Sequence, residues 1–393
     1  MSALAGLVVL DVTQVMAGPF CAMQLADLGA DVIKVEPPSG DSTRRWGREG
    51  AGTDSAEFNA VNRGKRGIVL NLKTPAAQDV LRRLARSADI IIENFRPGVM
   101  AEFGLDYARL GADNPRLIYA SISGYGQTGP DAQKGGYDLV AQGVSGIMSI
   151  TGEPGAPPVK CGVPLTDLGA GLFALAGILA ALFHRTETGL GQHIDTSLLE
   201  AGVALSVWEA TEYFSGRGIP QPTGSAHRLI APYQAIHCSD GYITLGAAND
   251  RLFTRLCRLL GHTEWAQRPE FANDVSRVAN RTALVTLIEG ITSRSSRRHW
   301  LDLFDANGIP CGPINNYEEM TQDAQVVARR MVLGTEHPTL GRLRTLGSPL
   351  KMSGTPAEPG RRAPLLGEHT TDVLRQAGYT DAEIAVLRGK GAL

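Results

Sequence analysis

Asp167 is the residue best placed for chemistry. It stands in Pro164-Leu-Thr-Asp167-Leu-Gly-Ala-Gly171, between a proline turn and an apolar run. From Leu168 to Phe183 no residue is charged. Those sixteen residues fall short of the ~20 that span a bilayer, so the run predicts a buried helix. Asp167 then sits at or just before the helix N-terminus. Free N–H groups and the helix dipole favour an anion there, so the carboxylate is expected to stay ionised among apolar neighbours. An ionised, partly desolvated carboxylate is a usable nucleophile. Taken alone, the same residue also fits a plain helix cap.

Two basic segments could hold a phosphate. Asn71-Leu-Lys-Thr74 closes a predicted strand before a proline-started helix, shortly after Arg63, Lys65 and Arg66. Glu93-Asn-Phe-Arg-Pro-Gly98 ends another strand and offers an amide, an aromatic face and a guanidinium together. Arginine grips phosphate through two N–H groups, and a phenyl ring can stack on a purine. Singly, each of these charges also fits a solvated loop. His184, His193 and His227 fall in no metal or hydrolase pattern; neither H-E-x-x-H nor G-x-S-x-G occurs. The five cysteines are scattered without a C-x-x-C pair, so no metal site or disulfide frame is expected, and Cys161 is taken as a core thiol.

These residues need a scaffold. Short apolar strands are predicted at Leu7–Val12, Asp31–Val35, Gly67–Asn71, Asp89–Glu93 and Arg116–Ser121. Helices between them, at Pro19–Leu28 and from Pro75 to about Ser87, give an α/β doubly wound parallel sheet. Ligands of such sheets bind at strand C-terminal ends, where both basic segments fall. No G-x-G-x-x-G follows the first strand, which speaks against an NAD-dependent dehydrogenase. After a glycine-rich stretch, helices are predicted from Leu168 to about Phe214, broken at Gly189–Gly191 with His193 in a turn. Gly216–Gly224 is the boundary candidate, followed by a strand at Gly241–Leu245 and helices to about Asn307; Gly341 onward reads as turn-rich. At 393 residues two domains are expected, and a net charge of −2 argues against nucleic acid or a membrane as partner. The N-terminus shows no basic segment followed by a long apolar one, so a cytoplasmic protein is expected.

Seven segments in order resemble the family III CoA-transferases: Leu10–Pro19, Gly29–Glu36, Asn71–Thr74, Glu93–Gly98, Ser123–Pro130, Gly136–Gln142 and Thr166–Leu168. The resemblance covers nearly the whole chain. It implies a large CoA-binding domain (1–215 with 330–393) and a smaller α+β domain (216–329). It also implies a homodimer of two interlocked, ring-like subunits. By position Asp167 matches the family's nucleophile. Met16, Ala17, Leu70, Asn71, Leu72, Lys73, Asn94, Phe95, Arg96, Lys134, Gly135, Gly136 and Tyr137 match stretches that contact CoA. Pro37 and Glu102 stand where formyl-CoA transferase-like members carry arginines. The diphosphate grip is therefore expected to rest on Lys73, Arg96 and Lys134.

The activity implied is transfer of CoA from an acyl-CoA donor to a carboxylic acid through an aspartyl-CoA thioester, with CoA as substrate and no metal. The related α-methylacyl-CoA racemases use a histidine where this chain has Tyr137, and tyrosine is a poor base at neutral pH. A non-catalytic CoA-binding protein is the other alternative, against which Asp167 speaks. Pro222–Pro232 lacks the glycine-rich character of formyl-CoA transferase and offers His227 and Arg228. An arginine there suits a second carboxylate, so succinyl-CoA as donor and a dicarboxylic acceptor are expected.

Overall fold

The computed structural model describes residues 2–46 and 54–393. The chain divides into two compact units. The larger holds the described residues up to 147, with 160–214 and 324–393; the smaller holds 148–159 and 215–323. Segment 148–159, which the sequence placed in the large domain, packs with the smaller unit instead.

Strand and helix alternate through the larger unit: β1 (Val8–Asp11), α1 (Ala17–Asp27), β2 (Asp31–Glu36), α2 (Ala56–Asn62), β3 (Arg66–Val69), α3 (Pro75–Ala85), β4 (Ile90–Glu93), α4 (Val99–Glu102), α5 (Tyr107–Asp113) and β5 (Ile118–Ser123). There follow α6 (Asp138–Val144), α7 (Leu165–Thr188), β6 (His193–Ser197), α8 (Leu198–Leu205) and α9 (Ala210–Phe214). The strands form one parallel sheet in the order β3-β2-β1-β4-β5-β6. Side chains alternate across it. Leu10, Ile33, Ile68 and Ile91 face α3, α5 and the C-terminal residues Val373, Leu374, Ile384 and Leu387. Val9, Val32, Ile90 and Ile92 face α1, α7 and α8. Burial on both faces explains the continuous apolar strands. The C-terminal segment is pinned to the sheet edge by Asn71 N–H donating to Ala392 O (2.9 Å) and His369 N–H to Gly67 O (2.9 Å).

Two sequence expectations change here. The stretch after Gly191 is not helical with His193 in a turn: it forms β6, an edge strand paired to β5. Its polar run, His-Ile-Asp-Thr-Ser, carries no apolar signal because an edge strand needs little. The turn-rich tail opens with a hairpin, Val332–His337 against Gly341–Leu346. The long apolar helix is 24 residues, longer than the charge-free run, and its Asp167 lies inside the first turn. By length and composition it could cross a membrane, but 44 % of its most apolar window is buried inside the protein. Ala170, Ala174, Leu175, Ile178 and Ala181 pack into the core, while Leu172, Phe173 and Phe183 stand exposed.

The smaller unit carries an antiparallel three-stranded sheet, Tyr233–Cys238, Gly241–Gly246 and Cys311–Pro313. Helices Asp250–Leu259, Arg281–Thr292 and Arg297–Ala306 cover it around Phe253, Trp300 and Phe304. Only the middle strand was legible in the sequence.

Candidate active site

The strand order reverses between β1 and β4, and a pocket of about 270 Å³ opens there at the strand C-terminal ends. Its walls are Gln14–Ala17 after β1, Asn94–Pro97 after β4, Ile122–Gly124 after β5, the loop Lys134–Tyr137, Asp167 and Leu198. Of the residues singled out in the sequence, Met16, Ala17, Asn94, Phe95, Arg96, Lys134, Gly135, Gly136, Tyr137 and Asp167 line this one pocket. Leu70, Asn71, Leu72 and Lys73 are not among the lining residues. Leu70 is buried in the core, and Asn71 is tied to the C-terminus through Gly391 O (3.1 Å) and Ala392 O. His227 and Arg228 lie in the other unit.

Backbone constraint shapes each wall. Val15 has φ 70°, a left-handed conformation that costs a β-branched residue about 1–3 kcal/mol. Its neighbours hold it there. Val15 N–H donates to Asp41 Oδ2 (3.2 Å), Gln14 N–H to Asn94 Oδ1 (2.9 Å), and Asn94 Nδ2 returns a bond to Gln14 O (2.8 Å). Lys34 Nζ, fully buried, bonds Thr13 O (3.0 Å) and pairs with Asp41 (3.2 Å). The opposite wall depends on two glycines in near contact. A Cβ at Gly136 would stand 2.3 Å from the Cα of Gly124, so neither position tolerates a side chain. Gly171 likewise lets α7 approach α1: its Cβ would meet Ala17 O at 2.7 Å.

The basic residues sort differently from the sequence expectation. Arg63 pairs with Asp27 (2.6 Å), Lys65 with Asp11 (2.7 Å) and Arg66 with Asp31 (2.5 Å), so these three serve the fold. Lys134 is exposed and paired with Asp131 (2.8 Å). Arg96 is exposed, has no acidic partner among the described residues, and lies over Gly135, whose Cβ would come within 3.1 Å of Nη2. Lys73 stands exposed outside the pocket.

Asp167 occupies the third residue of α7, whose start has no side-chain cap of its own. Asp138 supplies one from α6. Its Oδ1 accepts from Thr166 N–H (3.0 Å) and Thr166 Oγ1 (2.8 Å), and its Oδ2 from Gln142 Nε2 (2.7 Å). That cap comes from 28 positions away, so the sequence around Pro164 could not announce it. Burial, and then the neighbouring Asp138 charge, push the Asp167 carboxyl up to about 7. Burial and the Asp138 charge thus work against the readily ionised carboxylate expected from the helix dipole. A carboxyl poised near neutrality beside a pocket is the kind of group active sites hold. Among the described residues no acceptor takes the N–H of Gly135 or Gly136, and no group of three His, Cys, Asp or Glu could hold a metal. Gln14, Val15 and Asp138 were missed as contributors, although all three lie in the segments that carried the resemblance.

Known proteins resemble this chain over most of its length. The chain is 40% identical to succinyl-CoA:glutarate CoA-transferase of Homo sapiens over 99% of its length and 90% of the relative's. It is 42% identical to succinate–glutarate CoA-transferase of Agrobacterium fabrum, over 95% of both. It is 40% identical to acetyl-CoA:oxalate CoA-transferase of Acetobacter aceti, over 96% of both. A solved CAIB/BAIF family protein from Brucella suis superposes with a TM-score of 0.86 at 40% identity, covering 96% of this chain and 99% of that one. The family model for CoA-transferase family III matches residues 4–370, and the chain belongs to that family.

Proposed function

We propose that this protein moves CoA from succinyl-CoA to a dicarboxylic acid, with Asp167 as temporary carrier. The observation that carries this is the partly buried Asp167 carboxyl on the wall of the switch-point pocket, facing the CoA-matching segments. The carboxylate attacks the donor thioester carbonyl; the C–S bond breaks and CoA leaves as thiolate, forming a mixed anhydride. The thiolate attacks the Asp167 carbonyl and displaces succinate, leaving an aspartyl-CoA thioester. The acceptor carboxylate attacks that thioester, forming a second anhydride, and the thiolate then takes the acyl group and regenerates Asp167. The anhydrides are transient high-energy links, and the reaction begins and ends with one thioester and one free carboxylate, so it is near balance overall. The N–H groups of Gly135 and Gly136 are donors for the developing oxyanions. Arg96 grips the diphosphate and Phe95 meets the adenine. The choice of diacids follows the relatives named above.

A homodimer completes the proposal. Leu172 and Phe183 of α7, Val203 of α8 and Phe214 of α9 are exposed apolar side chains on one unit. So many large apolar residues call for a cover, and a second copy is the occupant we assign. The function is tested by incubating the protein with succinyl-CoA and hydroxylamine, then mapping modified peptides by mass spectrometry. Hydroxamate is expected on the peptide carrying Asp167, and glutarate should compete. Transfer to glutarate persisting in Asp167→Asn would overturn the mechanism.

A further inference from the structure

The turn that presents Phe95 and Arg96 is fixed from below by a buried carboxylate with no assigned part in the reaction. Glu93 ends β4 and is 4% exposed. Its Oε2 accepts from Phe95 N–H (2.8 Å), two residues on, closing the turn around Asn94. The Ser121 side chain beside it also favours its charged form. Ser121 is its register partner on β5 and is 2% exposed. Ser121 Oγ lies 2.9 Å from Nε2 of His193 on β6. The imidazole is stacked on Tyr107 and meets the edge of Tyr119. A row of three side chains therefore crosses three neighbouring strands and ends at the pocket wall.

We propose that Glu93, held by Ser121 and His193, is the positioning residue for the Asn94–Pro97 turn, and so for the grip of Arg96 and Phe95 on CoA. This rests on the reading that these residues hold CoA. Burying a carboxyl is costly, and here burial drives it up to about 7. The bonds from Ser121 and Phe95 oppose that cost, while Asp195 on β6 adds to it. The expense has a return at one place: the Phe95 N–H is captured and the backbone direction into Arg96 is set. When Glu93 is ionised it only accepts, so a Ser121 hydroxyl turned toward it leaves the Ser121 oxygen to accept from His193 Nε2–H, 2.9 Å away. Among the described residues Arg96 has no acidic partner to orient it, so the turn is what aims the guanidinium.

The test is steady-state transfer with varied succinyl-CoA, together with calorimetric binding of free CoA and thermal melts. Glu93→Ala and Glu93→Asp, which lose the reach to Phe95 N–H, should raise CoA Kd and succinyl-CoA KM about tenfold, with kcat within about twofold. Glu93→Gln keeps an acceptor for Phe95 and should restore both constants to within about twofold of the parent. Ser121→Ala should raise KM by about two- to fivefold and decides the matter should the Glu93 variants fail to fold. Arg96→Ala is the control. If it raises KM while folded Glu93→Asp and Ser121→Ala bind CoA like the parent, the positioning role is overturned and the CoA site stands. If Arg96→Ala itself changes nothing, the CoA-site reading fails first. A loss of kcat at unchanged KM would also overturn the proposal.

Discussion

Replacing Asp167 with asparagine should stabilise the protein while abolishing transfer. The carboxyl rises from its ordinary 3.8 to about 7 in the folded chain, through burial and then Asp138. That corresponds to about 4 kcal/mol against the charged form as an upper limit. Asp167 is partly exposed, so solvent screening brings the expectation to about 1–2 kcal/mol. The sign follows from proton binding. Below pH 3.8 both folded and unfolded chains hold the proton, and parent and variant should match. As pH rises, the folded chain keeps its proton longer, and the stability this gives is lost through pH 7. The neutral amide has no such loss. Urea unfolding of parent and Asp167→Asn at pH 3.5, 5, 6, 7 and 8 should show no difference at pH 3.5 and an advantage for the variant that opens as pH rises and is level above pH 7. Transfer should fall at least about a thousandfold with the proposed nucleophile gone. A stability difference that is constant with pH, or that shrinks as pH rises, would refute the claim that the site strains its own carboxylate.

Asp138→Asn keeps an oxygen acceptor for Thr166 and removes the charge beside Asp167. The acid limb of the kcat profile, expected near pH 7 in the parent, should move down by about half to one pH unit; an unmoved limb would show that Asp138 acts only as a cap. Gly136→Ala drives a methyl group to 2.3 Å from Gly124 Cα, backbone against backbone. It should cost about 2–3 kcal/mol in a denaturant melt and most of the activity. Gly162→Ala, with nothing within 4 Å, should change stability by less than about 0.5 kcal/mol.

The alternation of apolar strands with proline-started and glycine-ended helices was enough to read the parallel sheet and to put the Glu93–Gly98 segment at a strand end. Those features are local: periodicity, a Pro at the start of α3, and fully buried Val and Ile runs. The order of motifs pointed to Asp167, and the fold sets that residue on the pocket wall. Other facts depend on residues far apart in the chain. The sequence could not say that β6 joins the sheet, because an edge strand shows no apolar pattern. It could not separate Arg63, Lys65 and Arg66 from Arg96, since only the folded chain brings Asp27, Asp11 and Asp31 to the first three. The start of α7 lies at Leu165 because Asp138, from another helix, caps Thr166. The same aspartate and the surrounding burial decide the proton affinity of Asp167. A residue's type tells which charges it can carry; the distances set by the packed fold decide which of them it keeps.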